Sequence, residues 1–527
     1  SQERLWFIDK LEGSVQYHSP SVMRLSGQLN LAALNFAFKA LVKRQEVLRT
    51  VYREQDGTPF QLILDTEFPN IVIEDGSIFN QNHSELKKYI YQVVSKPFDL
   101  SADLPLRVNL LRMQPNEHLL VVNLHHIASD GWSVSVLVTE LTELYQSFVE
   151  GRPDNLGHLA VQYADFAIWQ RNYLKGDTLD KKLAYWYHKL NEVPPLDLPT
   201  DFQRPNVQST KGSSTVFTIE PQLAEKLKAY ARAKNGTLFM SLLSVFKVML
   251  HKYSGQDDIA IGSPIAGRSQ KDIEGLIGFF LNTLVFRTQI NPLDSFETYH
   301  ELVCETALEA FEHQEAPFEK IVDAVATNRD MSRNPVFQVM MVLQNTPEVP
   351  KVHFGDLVLS GEASDQAYSK FDMGWFFVEN EQGLSGIIQY CTDLFTEETA
   401  VRMGQHFCNL LASVLDNPAL PIESYPLMGA AEIQKQEALI KQNEVKWPDF
   451  NVPELFLKQV QNTPDAIAIQ FENTKLTYHQ LEVEANKIAN FLSSKNIGNG
   501  ALVPVCINRG PAMVATILGI LKTGAAF

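Results

Sequence analysis

Residues 119–133 run Leu119-Leu120-Val121-Val122-Asn123-Leu124-His125-His126-Ile127-Ala128-Ser129-Asp130-Gly131-Trp132-Ser133. The first six are aliphatic apart from Asn123 and include two β-branched valines, which reads as a buried strand. Beyond them Leu137, Val138, Leu141, Leu144, Tyr145 and Phe148 recur at helical spacing. A helix is therefore expected to start near Ser133, with that serine as its N-cap. The two histidines fall in a tight turn between strand and helix, a support rigid enough for chemistry. Imidazole takes or orients a proton near neutral pH. Two adjacent histidines do not readily enter one pocket, so one is expected to be structural. Asp130 either orients a ring or pairs with an arginine to hold the fold. Gly131 is expected to permit a backbone conformation or a close approach that a Cβ would forbid. A bare His-His pair is more often a surface or satisfied core pair, so the pair by itself assigns no function.

The string His125-His126-x-x-x-Asp130-Gly131 resembles the His-His-x-x-x-Asp-Gly motif of the condensation domains of nonribosomal peptide synthetases, which share the fold of chloramphenicol acetyltransferase. Six further segments resemble that family's motifs, in the same order. The amphipathic opening Ser1-Gln2-Glu3-Arg4-Leu5-Trp6-Phe7-Ile8 reads by itself as a core-docking helix and resembles the first motif. Arg44-Gln45-Glu46-Val47-Leu48-Arg49-Thr50 resembles the Arg-His-Glu-x-Leu-Arg-Thr motif, with Gln45 where histidine is usual. Tyr163 to Gln170 reads as an amphipathic helix with aromatic anchors and matches a structural motif. Gly278-Phe279-Phe280-Leu281-Asn282-Thr283-Leu284-Val285-Phe286-Arg287 matches Gly-x-Phe-x-Asn-Thr-x-x-x-Arg. His313 to Glu319 matches His-Gln-x-x-Pro-Phe-Glu, a helix ended by Pro317. Arg329 to Gln338, which contains Asn334, matches the last motif as a polar turn feeding a strand.

The resemblance implies an α+β fold. Two chloramphenicol-acetyltransferase-like lobes, residues 1–190 and 191–430, would form a V with a tunnel between them. Periodicity adds a helix from Asn30 to Gln45, then a hairpin turning at Asp56-Gly57. In the second lobe it adds a helix from Pro221 to Lys234, an all-round apolar helix from Leu238 to Tyr253, and a strand from Ile259 to Ile265. Strands near Val352–Leu359, Trp375–Glu379 and Ser385–Tyr390 and a helix from Glu397 to Leu415 are expected to complete that lobe.

Residues 431–450 read as a linker in a mostly polar stretch that contains Pro448. From 451 to 527 the bare reading is one hairpin, an amphipathic helix and a βα unit. Leu476-Thr477-Tyr478-His479-Gln480-Leu481 and Leu521-Lys522-Thr523-Gly524-Ala525-Ala526-Phe527 resemble the opening of an adenylation domain. That segment carries no Ser/Thr/Gly-rich phosphate loop, so no adenylation is expected from it. A Gly-Gly-x-Ser carrier attachment site is absent too. The sequence starts without Met and reads as a piece of something longer.

At 527 residues, two to four domains are expected. The net charge of −17 argues against nucleic acid as a partner, which would need a basic surface. Cys304, Cys391, Cys408 and Cys506 are scattered, with no C-x-x-C, which suggests neither a zinc site nor a disulfide framework. No run reaches transmembrane length and no signal peptide opens the chain, so a cytoplasmic protein away from membranes is expected.

By resemblance, the chemistry is amide formation between two thioesters. Upstream donor and downstream acceptor carrier domains would deliver them on phosphopantetheine arms, and the chain's own adenylation domain would be a further partner. No cofactor is expected to be bound to this chain itself, and no metal. His126 is the implied central residue. It would act as base, stabilise the tetrahedral intermediate, or position the amine. His125 and Gly131 join it in the catalytic set, His125 mainly as structure and Gly131 as a backbone oxyanion donor. Asp130 is expected to bridge to Arg287, with Arg49 as the competing partner. Trp132 is assigned to the wall, and Ser133, Asn282 and Asn334 to structure. Epimerization and heterocyclization domains and a non-catalytic carrier-docking platform remain the alternatives. Residues 125–130 lack the Asp-x-x-x-x-Asp pattern of heterocyclization, and a following adenylation segment argues against epimerization.

Overall fold

The computed structural model describes residues 2–80, 82–268, 270–325, 330–344, 352–354, 357–361, 368–380, 383–442 and 449–527. It divides into two compact units, Ser1–Ala430 and Ala431–Phe527. Arg329 of the last motif and Pro448 of the linker lie outside the described residues.

The strands of the first unit are β1 (His18–Ser26), β2 (Thr50–Gln55), β3 (Thr58–Ile63), β4 (Ile73–Asp75), β5 (Leu106–Gln114), β6 (Glu117–His125), β7 (Gly212–Ile219), β8 (Asp258–Ile265), β9 (Asn282–Gln289), β10 (Val339–Gln344), β11 (Val352–Phe354), β12 (Leu357–Gly361), β13 (Met373–Asn380) and β14 (Gly383–Cys391). They build two six-stranded mixed sheets, ordered β11-β12-β1-β6-β5-β4 and β7-β14-β13-β10-β8-β9.

The apolar run before the histidines is β6, and it lies in the middle of the first sheet. It pairs antiparallel with β1, His125 facing His18, and with β5, Leu124 facing Leu106. Its side chains alternate between two cores. Leu120, Val122 and Leu124 pack beneath the helices Leu31–Arg44 and Gly131–Glu150, while Leu119 and Val121 pack with Leu86. A strand covered on both faces has no solvent side, which is why it reads as a continuous apolar run. The hairpin β2–β3 turns through Asp56 and Gly57, both at positive φ (52° and 77°), the geometry a two-residue turn requires. It forms its own two-stranded sheet.

Chain order and lobe order part company in three places. The β11–β12 pair, expected in the second lobe, joins the first sheet: Leu359 faces Leu25 of β1, and both are buried in the first core. Ile273, Leu276, Ile277 and Phe280 bury in that same core. Conversely Trp186 and Leu190, from the stretch expected to close the first lobe, bury in the second core. In each case apolar side chains follow the nearest core rather than the sequence boundary.

In the second core the helix Leu238–Ser254 is buried on every side from Met240 to Leu250, as its unbroken apolar character implies. Lys247 lies inside that run and donates to Thr288 Oγ1 at 2.7 Å. The helix Phe296–Glu312 ends well before Pro317, and Pro317 instead precedes the next helix, Phe318–Val325.

In the second unit the helix Val452–Asn462 is followed by the hairpin of β15 (Ile467–Phe471) and β16 (Thr474–Thr477), then by helices Tyr478–Ser494 and Pro511–Lys522. Leu481, Ala485, Ala515 and Leu518 form its core. The expected βα unit is reduced to a single parallel bridge between Leu502 and Ala526. Part of the expected linker is helical, Ala430–Gln442.

Candidate active site

β6 ends at His125, a single 3-10 turn spans His126–Ala128, and the helix Gly131–Glu150 begins. The N-cap is Asp130, three residues before the serine that the apolar spacing suggested. Asp130 Oδ1 accepts from the Ser133 amide (2.8 Å) and from Ser133 Oγ (2.7 Å), and Ser133 Oγ accepts from the Asp130 amide. Ser133 is thus the third helical residue of a capping box. The same hydroxyl accepts from the Gly278 amide at 3.1 Å, which draws the 276–280 segment against the helix start.

The arginine on Asp130 is Arg268. Its Nη2 lies 3.1 Å and 3.3 Å from the two carboxylate oxygens, and the two side chains are 2% and 1% exposed. Nη1 donates to the carbonyls of Ile273 and Leu276, and the guanidinium carbon sits 4.0 Å from the Phe280 ring centroid. The Phe280 amide donates to Asp130 Oδ2. This overturns both expected partners. Arg287 forks onto Asp258 across the β8–β9 pair and donates to the carbonyls of Lys189 and Asn191. Arg49 pairs with Glu46 and with the Leu64 carbonyl. Each of those arginines meets a nearer partner on its own or an adjoining element.

The two histidines divide their tasks. His125 is fully buried. Its Nδ1 accepts from the Ile127 amide (3.0 Å), so the proton is on Nε2, which donates to Ser14 Oγ (2.8 Å). Ser14 Oγ donates in turn to Asp9 Oδ1. Both ring nitrogens are engaged, so His125 holds the turn. Burial, with His18, His126 and Lys370 nearby, pushes its pKa down to about 3. His126 is different. Its Nδ1 lies 3.1 Å from the Ser129 carbonyl, which can only accept, so Nδ1 carries the proton and Nε2 keeps its lone pair. Among the described residues Nε2 has no hydrogen-bond partner. Burial, then the positive charge of Lys370, lowers His126 to about 4 and keeps the ring neutral.

Gly131 departs from expectation. Its φ is outside the left-handed region, and a Cβ built there would meet nothing within 4 Å. The glycine therefore leaves open space beside the first amide of the helix, one of the donors that lack an intrahelical acceptor. Trp132 is partly exposed and donates from Nε1 to the Glu274 carbonyl. Asn282 and Asn334 do not contact the histidine turn. Asn282 ties the start of β9 to the carbonyls of Gln314 and Ala316 and to the Phe318 amide. Asn334 bonds Gln208 and Gln338.

Beyond Arg268, sequence reasoning missed the supports of the turn. Gln2 Nε2 and Tyr52 Oη both donate to the Ile127 carbonyl, at 2.6 Å and 3.3 Å. Gln45 is buried. Its Nε2 donates to the Glu140 carboxylate and the Gly275 carbonyl, and its Oε1 accepts from the Ile277 amide. The replacement of the usual histidine by glutamine was the signal for this joint, because an amide both donates and accepts. Among the described residues no group of three or more His, Cys, Asp or Glu side chains could hold a metal ion, and no helix is long and apolar enough to cross a membrane.

Comparison with known proteins agrees with this geometry. The condensation domain family model matches residues 1–437, and the AMP-binding enzyme model matches 456–527. A linear gramicidin synthase of Brevibacillus parabrevis is 39% identical over all of this chain, which spans 7% of that protein's length. Among solved structures, a four-domain nonribosomal peptide synthetase, holo-AB3403 bound to AMP and glycine, superposes with a TM-score of 0.80. It is 25% identical and covers 100% of this chain and 41% of its own. The X-domain of teicoplanin biosynthesis, solved in complex with OxyB, gives 0.72 at 26% identity, over 81% of this chain and 95% of that one. Fold, histidine turn and family match converge: the chain belongs to the condensation-domain family of nonribosomal peptide synthetases, an amide-bond-forming family, and carries the first part of an adenylation domain after it.

Proposed function

We propose that this chain joins a donor acyl or peptidyl thioester to the α-amine of an acceptor aminoacyl thioester, both carried on phosphopantetheine arms of partner carrier domains. The observation that supports it is the His126 ring, oriented by Ser129 with its Nε2 lone pair unclaimed. The donor arrives activated as a thioester, so no protein nucleophile is needed. The nitrogen attacks the carbonyl carbon, the C–N bond forms and the C–S bond breaks. The proton released from nitrogen ends on the thiol.

An α-ammonium titrates at about 7.7–8.0, well above the pKa of about 4 that burial gives His126. His126 therefore does not hold that proton at equilibrium. It accepts a hydrogen bond from the amine, aims the nitrogen lone pair, and passes the proton on as the bond forms. The Gly131 amide, with open space beside it, is the backbone donor assigned to the carbonyl oxygen.

The test is a single-turnover assay with a loaded donor carrier and a loaded acceptor carrier, read by intact-protein mass spectrometry. Transfer of the donor onto the acceptor is expected. A non-catalytic docking role is the second reading, favoured by the likeness to an X-domain solved in complex with OxyB. Carrier binding without transfer, across several donor and acceptor pairs, would select it.

A further inference from the structure

The segment Tyr368-Ser369-Lys370-Phe371-Asp372 leads into β13 of the second sheet. Its lysine reaches the first. Lys370 Nζ lies 4.5 Å from the centroid of the Tyr17 ring. Tyr17 directly precedes His18, the residue facing His125 in the β1–β6 pair, and Ser14 of the same segment holds His125 Nε2. The charge of Lys370 is among the causes that keep both His125 and His126 neutral.

The lysine is fixed from behind: Gln208 Nε2 donates to its carbonyl at 2.9 Å. The nearest acid in sequence, Asp372, is already taken by Arg204. Among the described residues no carboxylate pairs with the Lys370 ammonium and no acceptor hydrogen-bonds it. A half-buried cation without a counter-ion is costly, and the face of Tyr17 offsets only part of that cost. Its position against Tyr17, the residue before the one that faces His125, sets a positive charge near the histidine turn, suited to a negative charge that forms there transiently.

We propose that the Lys370 ammonium stabilises the oxyanion formed on the donor carbonyl when the acceptor amine attacks. This rests on the condensation reading above. As the C–N bond forms, the carbonyl π pair moves onto oxygen, opposite Lys370. When the pair returns, the C–S bond breaks and the sulfur takes the proton that left nitrogen, giving amide and thiol. The Tyr17 ring lies against Lys370, and the titratable and charged groups that act on it or feel its charge are Arg4 of the N-terminal helix, His125 and His126. None supplies a negative charge. Burial and Arg4 bring the lysine down to about 8, so the ammonium is lost as the pH rises through that value.

The experiment compares wild type, Lys370→Met and Lys370→Arg in the single-turnover assay, with thermal melts of all three. Lys370→Met is expected to lower the rate at saturating carriers by about 100-fold, the scale of losing one oxyanion donor. The carrier concentration giving half the maximal rate should not move. Wild type is expected to lose rate above pH 8, and Lys370→Arg to retain at least a tenth of the wild-type rate and to lack that fall. A Lys370→Met protein with wild-type rate would overturn the proposal. So would a change confined to the half-saturating concentration, which would assign Lys370 to the carrier's phosphate arm, or an Arg variant that keeps the alkaline fall. Wild type that makes no product with any pair would overturn the condensation reading and this inference with it, a result distinct from the others.

Discussion

Asp130 with Arg268, and Asp258 with Arg287, are the same chemistry in two settings. The first pair is 1% and 2% exposed and joins residues 138 positions apart. The second is 18% exposed on both sides and links facing strands 29 positions apart. The first pair is also tied to Ser133, the Phe280 amide and two carbonyls of the 273–276 turn. Around the second, the guanidinium fork reaches one carboxylate and two carbonyls at the edge of the second sheet. The sequence motifs name Asp130 and Arg287 together, yet only Asp130 is at the histidine turn. The motif arginine braces the second sheet, while the turn just after β8 delivers the arginine that braces the site.

Four experiments test that contrast and the histidine turn it supports. Arg268→Met should have the largest effect, because it leaves a buried carboxylate without its cation. A loss of about 3–5 kcal/mol is expected in a denaturant melt, together with loss of transfer activity as the helix start loosens. Arg287→Met removes charge-assisted bonds that water can partly replace. About 1–3 kcal/mol is expected, with the transfer rate of the folded protein unchanged. Equal losses for the two variants would show that burial does not separate them. Ser14→Ala strips the acceptor from His125 Nε2 and should cost about 1 kcal/mol, with little change in rate.

The fourth experiment follows the onset of acid sensitivity. His125 and His126 are held at about 3 and about 4 in the folded chain, against about 6.5 when unfolded. Below that upper value the unfolded state binds more protons, so stability falls as the pH falls from about 6.5 toward 4. The melting temperature should drop slightly from pH 7 to 6 and more steeply toward 5. A flat profile over that range would contradict the buried, neutral state of the two rings.

Much of this was legible in the sequence where the signal is local. The strand–turn–helix around His125 and His126 follows from an apolar run meeting a helical repeat, and the Asp56-Gly57 turn from its residue types. Even there the N-cap was misplaced, because Ser133 and Asp130 are both good caps and the apolar spacing begins later than the helix does. What was not legible is non-local. Nothing in the periodicity of 352–361 says that Leu359 packs beside Leu25 rather than in the second core. Arg268 carried one readable sign, the Gly267 before it. That glycine has φ of 63°, and a Cβ there would lie 2.1 Å from the Phe280 carbonyl oxygen. A glycine–arginine pair just after a buried strand marks a tight approach, but not its partner.

The most direct test of the central claim sets wild type beside His126→Ala in single turnover with loaded donor and acceptor carriers, after melts show that both are folded. Wild type is expected to transfer the donor and the variant to do so at least about 100-fold more slowly, in keeping with the loss of a group that aims the amine and relays its proton. A folded His126→Ala protein that transfers at the wild-type rate would contradict it.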